Sequence, residues 1–360
     1  MSSSPDKLDK IYELAKLRGK NGKWLLGRKG ILEHVPEVTE WTVRKVIQEV
    51  RGEGVGGQQA PTPEERVMIS REEEQVKLPK IVFNVPPLKA AKEQNSTLKY
   101  WVIGSDFHSP YHDEASCQIF YNVIEDLNPE KVILLGDVIN LDQFSRYPGE
   151  GKYPGCPTWI EEIAVAGSIM ANVRQAAPAA DLEWYEGNHE LRLQKHLMRH
   201  DPILYPHIDM SKLFYLSDNE SAMNEFSFYT YVQKPEVFNK ELGIVFKHGS
   251  KVRKHTGMSA QAEVDNLLFS VIMGHAHRLG LYRRSSGRSR YLNQQPLFGM
   301  ETGCLCKYDL PYVEGATSNW QHGFGVLCID KSDPKIPIIE PSVVEINNER
   351  ALFKGKIYKA

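Results

Sequence analysis

Five short apolar runs in this chain each stop at aspartate, asparagine or histidine. YWVIGSDFH ends in Asp106 and His108, VILLGD in Asp137, LEWYEGNHE in Asn188 and His189, IVFKHG in His248, and SVIMGHAH in His275 and His277. Runs of this length bounded by Gly or polar residues read as buried strands. Between them DEASCQIFYNVIEDL places Ile119, Phe120, Val123, Ile124 and Leu127 on one helical face, and a second helical stretch runs from about Thr158 to Gln175. Repeated strand-then-helix units predict an α/β layer arrangement. In such sheets ligands gather outside the carboxyl ends of the strands, so separate strands can deliver these polar groups to one place. A β-rich end follows, with LFGMETG, FGVLCID and ALFKGKIYK.

Singly, each group has an ordinary explanation. A lone His248 is more often a satisfied core or surface histidine, D-x-H arises by chance, and GNHE can be a turn at a helix start. His275 and His277 point to the same side if the chain stays extended, and they could be buried, solvated or ligating. Together the groups are harder to dismiss. Burying so many polar atoms without partners costs about 1–3 kcal/mol each, and a metal pair satisfies them economically. The mixture of oxygen and imidazole donors suits manganese, iron or zinc far better than calcium.

The ordered set D-x-H, GD, GNHE, HG and GHxH, spanning residues 104–277, resembles the calcineurin-like metallophosphoesterase superfamily. That resemblance implies a four-layered αββα sandwich, two sheets with helices outside. It implies two divalent metal ions, manganese first with zinc or iron as alternatives. Asp106, His108 and His277 would hold one ion and Asn188, His248 and His275 the other, with Asp137 bridging. Gly274 would allow a tight turn from which the two imidazoles diverge to different ions. A metal-bridging hydroxide would attack phosphorus in line, and His189 stands where the family keeps its proton donor or transition-state stabiliser. One departure matters: the family often reads GDxxD, the last Asp orienting that histidine, whereas this chain reads GDVIN, leaving Asn140 or Asp142 for the task.

Several substrates fit such a site. Arg192, one helical turn after Asn188, is a candidate for a substrate phosphate, although a solvated helix charge is the more ordinary reading. Arg283 and Arg284, in the cluster YRRSSGRSR, are candidates for phosphate-backbone contacts, against the plainer reading of a polar hairpin. A phosphodiesterase or nuclease acting on nucleic acid or nucleotides is the first reading. A serine/threonine-type protein phosphatase or other phosphomonoesterase ranks lower, because GDVINLD lacks the acid and arginine of GDxxDRG. A non-catalytic nucleic-acid-binding module is the third. Whole-chain features including DFHSPYHD, GNHELRL and SNWQHGFGV also resemble phosphoesterases encoded by bacteriophages and bacteria.

Composition limits the setting. With 41% apolar and 25% charged residues over 360, the chain reads as folded and globular, and a net charge of −2 argues against nucleic-acid binding through overall charge. Five cysteines do not form a disulfide framework, and Cys304 and Cys306 read as buried thiols rather than a metal site. No run approaches membrane-spanning length and nothing resembles a signal peptide. The expected setting is a cytoplasm, the host's if the gene is a phage's. Ahead of a Gly/Pro/Gln-rich stretch, Leu8, Ile11, Leu14 and Leu17 mark one helix. Thr39 with Trp41 and Val46 marks another, with turns at Gly27, Gly30 and Pro36. This predicts a helical module at 1–51, either a helix-turn-helix with Arg44 and Lys45 facing phosphates or a plain interaction module. A linker and extended arm at 52–98 and a metallophosphoesterase domain at 99–360 complete the expected organisation.

Overall fold

The computed structural model describes residues 5–17, 31, 33–35, 43, 46–47, 50, 97–146, 156–215, 229–285, 295–310, 319–333 and 337–360. The chain forms two compact units, Met1–Leu78 and Pro79–Ala360. In the first, α1 (Pro5–Lys16) buries Ile11 and Ala15 in a cluster with Ile31, Val35, Val43 and Val46. Leu17, expected on the apolar face, falls beyond the helix end and is 43% exposed. Gly27, Gly30, Pro36, Thr39, Trp41, Arg44, Lys45 and the stretch 52–96 lie outside the described residues, as does the side chain of Leu8.

The second unit contains β1 (Leu98–Gly104), α2 (Glu114–Leu127), β2 (Lys131–Leu134), α3 (Trp159–Ala176), β3 (Asp181–Tyr185), α4 (Glu190–His200) and α5 (Met210–Tyr215). There follow β4 (Tyr229–Val232), β5 (Val237–Asn239), β6 (Ile244–Lys247), α6 (Met258–Leu267), β7 (Ser270–Met273), β8 (Leu279–Arg284) and β9 (Leu297–Thr302). The chain closes with β10 (Gly323–Asp330), β11 (Ile338–Asn347), β12 (Arg350–Phe353) and β13 (Lys356–Lys359). The expected helices form where the sequence stops them competing with other structure. Asp113 caps α2 by accepting from Ser116 N, and Thr158 with Glu161 makes a reciprocal capping box for α3.

Two sheets result, one of eight strands in the order β13-β12-β11-β10-β1-β2-β3-β4 and one of five in the order β5-β6-β7-β9-β8. Side chains alternate across each strand. Trp101 and Ile103 of β1, Ile133 of β2 and Tyr185 of β3 meet Ile244 and Phe246 of β6, Ile272 of β7, and Phe298 and Met300 of β9 in one buried core between the sheets. The opposite faces meet helices: α2 packs on β1, β10 and β13, and α6 on β7, β8 and β9. Val245 and Val271 join Val264 of α6 in a separate outer cluster. This is the four-layered α/β sandwich the motifs implied.

Strands β1, β2 and β3 run parallel with Gly104, Leu134 and Trp184 in register, and β6, β7 and β9 run parallel with Lys247, Met273 and Glu301 in register. Carboxyl ends in each sheet therefore line up at one edge, which fixes where the site is built. Among the described residues no helix is long and apolar enough to cross a membrane.

Candidate metal centre

The loops leaving these strand ends are held in conformations that L-residues seldom adopt. Asp106 (φ 55°), His108 (48°), Asp137 (50°), His275 (64°) and His277 (54°) all lie in the left-handed region. Such backbone costs free energy and persists only where the surroundings fix it. Here the exit loops of β1 and β2 are zipped together, Asp106 N donating to Gly136 O (3.1 Å) and His108 N to Asp137 O (2.9 Å). Beneath them the buried Glu190 carboxylate accepts from Asp137 N (3.0 Å), Val138 N (2.8 Å) and Gly187 N (2.8 Å). A Cβ on Gly187 would stand 2.2 Å from Asp137 Oδ1, and one on Gly274 would stand 2.7 Å from Ser105 Oγ and 2.8 Å from Asp106 Oδ2. Glycine is required at both places because the acids press on the backbone.

The left-handed turn after Gly274 also separates the two imidazoles. His275 N donates to Asp106 Oδ2 (2.9 Å) while its ring lies beside His248, centroids 5.3 Å apart. His277 turns the other way, toward His108 at 4.9 Å between centroids.

Seven donors converge. Asp137 Oδ2 lies 3.0 Å from His248 Nε2 and 3.9 Å from His108 Nε2, and Asp106 Oδ1 lies 3.2 Å from His277 Nε2 and 3.9 Å from His108 Nε2. Asn188 lines the same cavity. Tautomers follow from the outer hydrogen bonds. His248 Nδ1 donates to the Leu135 carbonyl (2.8 Å), and His108 Nδ1 donates to Asn140 Oδ1 (3.0 Å). When neutral, each ring aims an Nε2 lone pair inward, the arrangement that outer hydrogen bonds give to metal-binding histidines.

Three observations make a cation the fitting occupant. Asp106 Oδ1, Asn188 Oδ1 and His248 Nε2 are buried without a hydrogen-bond partner among the described residues. Nε2 of His108 and Nε2 of His277 face one another at 3.1 Å. Ligands about 2.1 Å from a common ion sit about 3.0 Å apart in octahedral and about 3.4 Å apart in tetrahedral geometry, which brackets the spacing here. Finally, Asp137, His248 and His275 form one compact donor group, and His108 and His277 share another with Cys306.

The metal-free electrostatics show what such an ion would replace. Burial raises the pKa of Asp106, but the imidazoles of His277 and His108 outweigh it and hold the carboxyl well below the usual range. Asp137 is likewise held low, with burial opposed by His248 and His189. Burial pulls His248 down, yet the Asp137 carboxylate pushes it up to about 10. Burial dominates at His277 and His275, whose pKa values fall.

His189 closes the cavity floor, with Nε2 3.8 Å from Asp137 Oδ2. Neither expected side chain orients it. His189 Nδ1 donates to the backbone carbonyl of Asn140 (2.9 Å), while the Asn140 amide is turned to His108. Asp142 instead accepts from Tyr111 Oη (3.1 Å) and Arg192 Nη1 (3.2 Å). Arg192 also donates to the Asn140 carbonyl (3.1 Å) and stands 3.2 Å from His189 Nε2, so it braces the histidine and is not among the residues lining the cavity.

Arg283 and Arg284 are likewise not among the residues lining the cavity. β8 starts beside His277 and runs antiparallel to β9, which carries Arg284 about 16 Å along the strand at about 3.3 Å per residue. There it pairs with Asp265 of α6 at 2.5 Å, on a hairpin as the plainer reading had it. Missed from the sequence were Arg278 and Trp320, which with Val252 and Ala276 wall a cavity of about 240 Å³ above the donors. Cys304 and Cys306 are buried free thiols, and Cys306 Sγ lies 3.8 Å from His277 Nδ1.

A helix-flanked double sheet thus brings the D-x-H, GD, GNHE, HG and GHxH donors to one end of its strands. No family model matches the chain. It is similar to the Gene 54 protein of Mycobacterium phage D29, 27% identical over 269 residues, covering 72% of this chain and 98% of that protein. The Gene 54 protein of Mycobacterium phage L5 is 25% identical over 263 residues, with the same coverage. Solved structures that align with it include Vps29 from Cryptosporidium parvum, at 13% identity and TM-score 0.37, covering 73% of this chain and 96% of that one. The phosphoesterase YfcE from E. coli aligns at 11% identity and TM-score 0.29, covering 69% of this chain and 100% of that one.

Proposed function

We propose that the chain is a metal-dependent phosphoesterase that hydrolyses phosphodiesters of nucleic acids or nucleotides. The observation that carries this reading is the convergence of Asp137, His248 and His275 in one compact donor group and of His108 and His277 in another, beside an Asn188 Oδ1 that is buried with no hydrogen-bond partner among the described residues. Asp106, His108 and His277 would hold one divalent cation, Asn188, His248 and His275 a second, and Asp137 both. Bound there, such ions supply charge to a phosphoryl oxygen and lower the pKa of a water.

The chain's own residues do the rest. With Nδ1 donating to the Asn140 carbonyl, His189 presents Nε2 to the floor of the cavity, and burial holds its pKa well below the ordinary value despite Asp137. A neutral ring whose Nε2 accepts from the Arg192 guanidinium (3.2 Å) is held in place beside Asp137 and is not poised to donate a proton as imidazolium. The D-x-H histidine, and the absence of acid and arginine from GDVINLD, support diester over phosphoprotein chemistry.

The test is metal analysis followed by turnover of bis-p-nitrophenyl phosphate and p-nitrophenyl phosphate in manganese, with Asp137→Ala as the blank. Diester turnover that chelation and Asp137→Ala both abolish is the expected result. Turnover of the monoester alone would make the protein a phosphatase, and metal binding without turnover of either would make it a binding module.

A further inference from the structure

We infer that Trp320 and Arg278 form a nucleoside-binding wall of this site, the indole stacking on a base and the guanidinium taking a phosphate oxygen of the same nucleotide. The inference rests on the phosphoesterase reading and names its substrate class. Trp320 packs against the ring of His277, centroids 4.1 Å apart, and against the buried cluster of Cys304, Cys306 and Leu310, yet it also lines the cavity. It is an aromatic plane anchored beside a proposed metal ligand. Arg278, the next residue after His277, lines the cavity too; its Nε donates to Asn319 O (3.3 Å), and its Nη1 is occluded with no hydrogen-bond partner among the described residues. An unpaired guanidinium nitrogen in such a place calls for an anion.

The wall is rigid. Gln321 N donates to His277 O (2.9 Å) and Gln321 Oε1 accepts from Leu279 N (3.3 Å), which locks the Trp320 segment to the loop carrying His277 and Arg278. A plane and a cation at fixed separation from the reacting phosphate fit a nucleotide, whose base, sugar and phosphate are themselves at fixed separations. Gln321, the polar side chain next to Trp320, is engaged by Leu279 N, Thr256 Oγ1 (3.4 Å) and Asn319 Oδ1 (3.0 Å), so it does not read a base edge. Stacking tolerates every base, so binding at this wall has little base preference.

The experiment compares kcat/KM of the metal-loaded full chain for two esters that release the same p-nitrophenol: the p-nitrophenyl ester of thymidine 5′-phosphate and methyl p-nitrophenyl phosphate. Base stacking is worth about 10- to 100-fold per base, and the nucleoside ester is expected to be favoured by about that factor. Trp320→Ala should bring the ratio of the two kcat/KM values to about one, while Trp320→Phe should keep most of the preference, and metal content and circular dichroism of both variants show that fold and site persist. Arg278→Gln should lower turnover of both esters by raising KM. Equal turnover of the two esters, or a preference that survives Trp320→Ala, overturns the wall and leaves the phosphoesterase reading intact. No turnover of either ester overturns both.

Discussion

Asn140 serves two histidines with two different atoms, and this separates its roles experimentally. Its amide fixes His108, whereas its backbone carbonyl fixes His189 and would survive any substitution. Asn140→Ala is therefore expected to weaken metal affinity by about 10- to 100-fold, the usual cost of losing an outer partner of a metal ligand, with turnover at saturating metal changed only a few-fold. Isothermal titration with manganese and steady-state kinetics check the two halves. His189→Ala should do the reverse, lowering kcat by about 100-fold or more with metal content unchanged by elemental analysis; loss of bound metal would make His189 structural. His248 gives a pH-dependent prediction. In the metal-free protein its pKa is pushed up to about 10, so it is protonated at pH 8 and the proton sits where a cation would. Metal uptake at pH 8 should release that proton, affinity should fall as pH is lowered, and calorimetry in buffers of different ionisation enthalpy reads the count.

At the scale of elements, the strand-end acids and histidines were legible because short, largely continuous apolar runs stop at them, and α2 and α3 because their apolar spacing and caps are local signals. The orientation of His189 was not legible, since a carbonyl is common to every residue type and GDVIN shows only the side chain. Arg192 was visible one turn after Asn188, but its direction toward Asp142 depends on the loop at Leu141, which takes a left-handed φ of 54°. Trp320 lies 43 positions beyond His277 and meets it through tertiary contacts that include the Gln321–His277 hydrogen bond, so no local pattern announces it. Short β5 escaped for the same reason, while YRRSSGRSR had left open the hairpin that the pairing of β8 with β9 forms. Because that pairing carries Arg283 and Arg284 off, replacing both by alanine should leave turnover of small diesters unchanged. Gly274→Ala, by contrast, must move Ser105 or Asp106, and metal affinity should drop by at least about tenfold, measured by competition with a chromophoric chelator.

Across the whole second unit, the donors are divided between the layers. Asp106, His108, Asp137 and Asn188 leave the eight-stranded sheet, and His248, His275 and His277 leave the five-stranded one. Between the layers, side-chain packing around Trp101, Ile103, Phe246 and Met300 joins β1 to its facing strands, and at the strand end His275 N reaches Asp106 Oδ2. Cations held by these donors would act as a clasp across the sandwich, fastening one rim of it. As chelation lowers the free metal concentration, the melting temperature should fall roughly in proportion to the logarithm of that free concentration. Amide protons near the ends of β2 and β7, one from each layer, should then begin to exchange with solvent together, while those at the far rim keep their former pace.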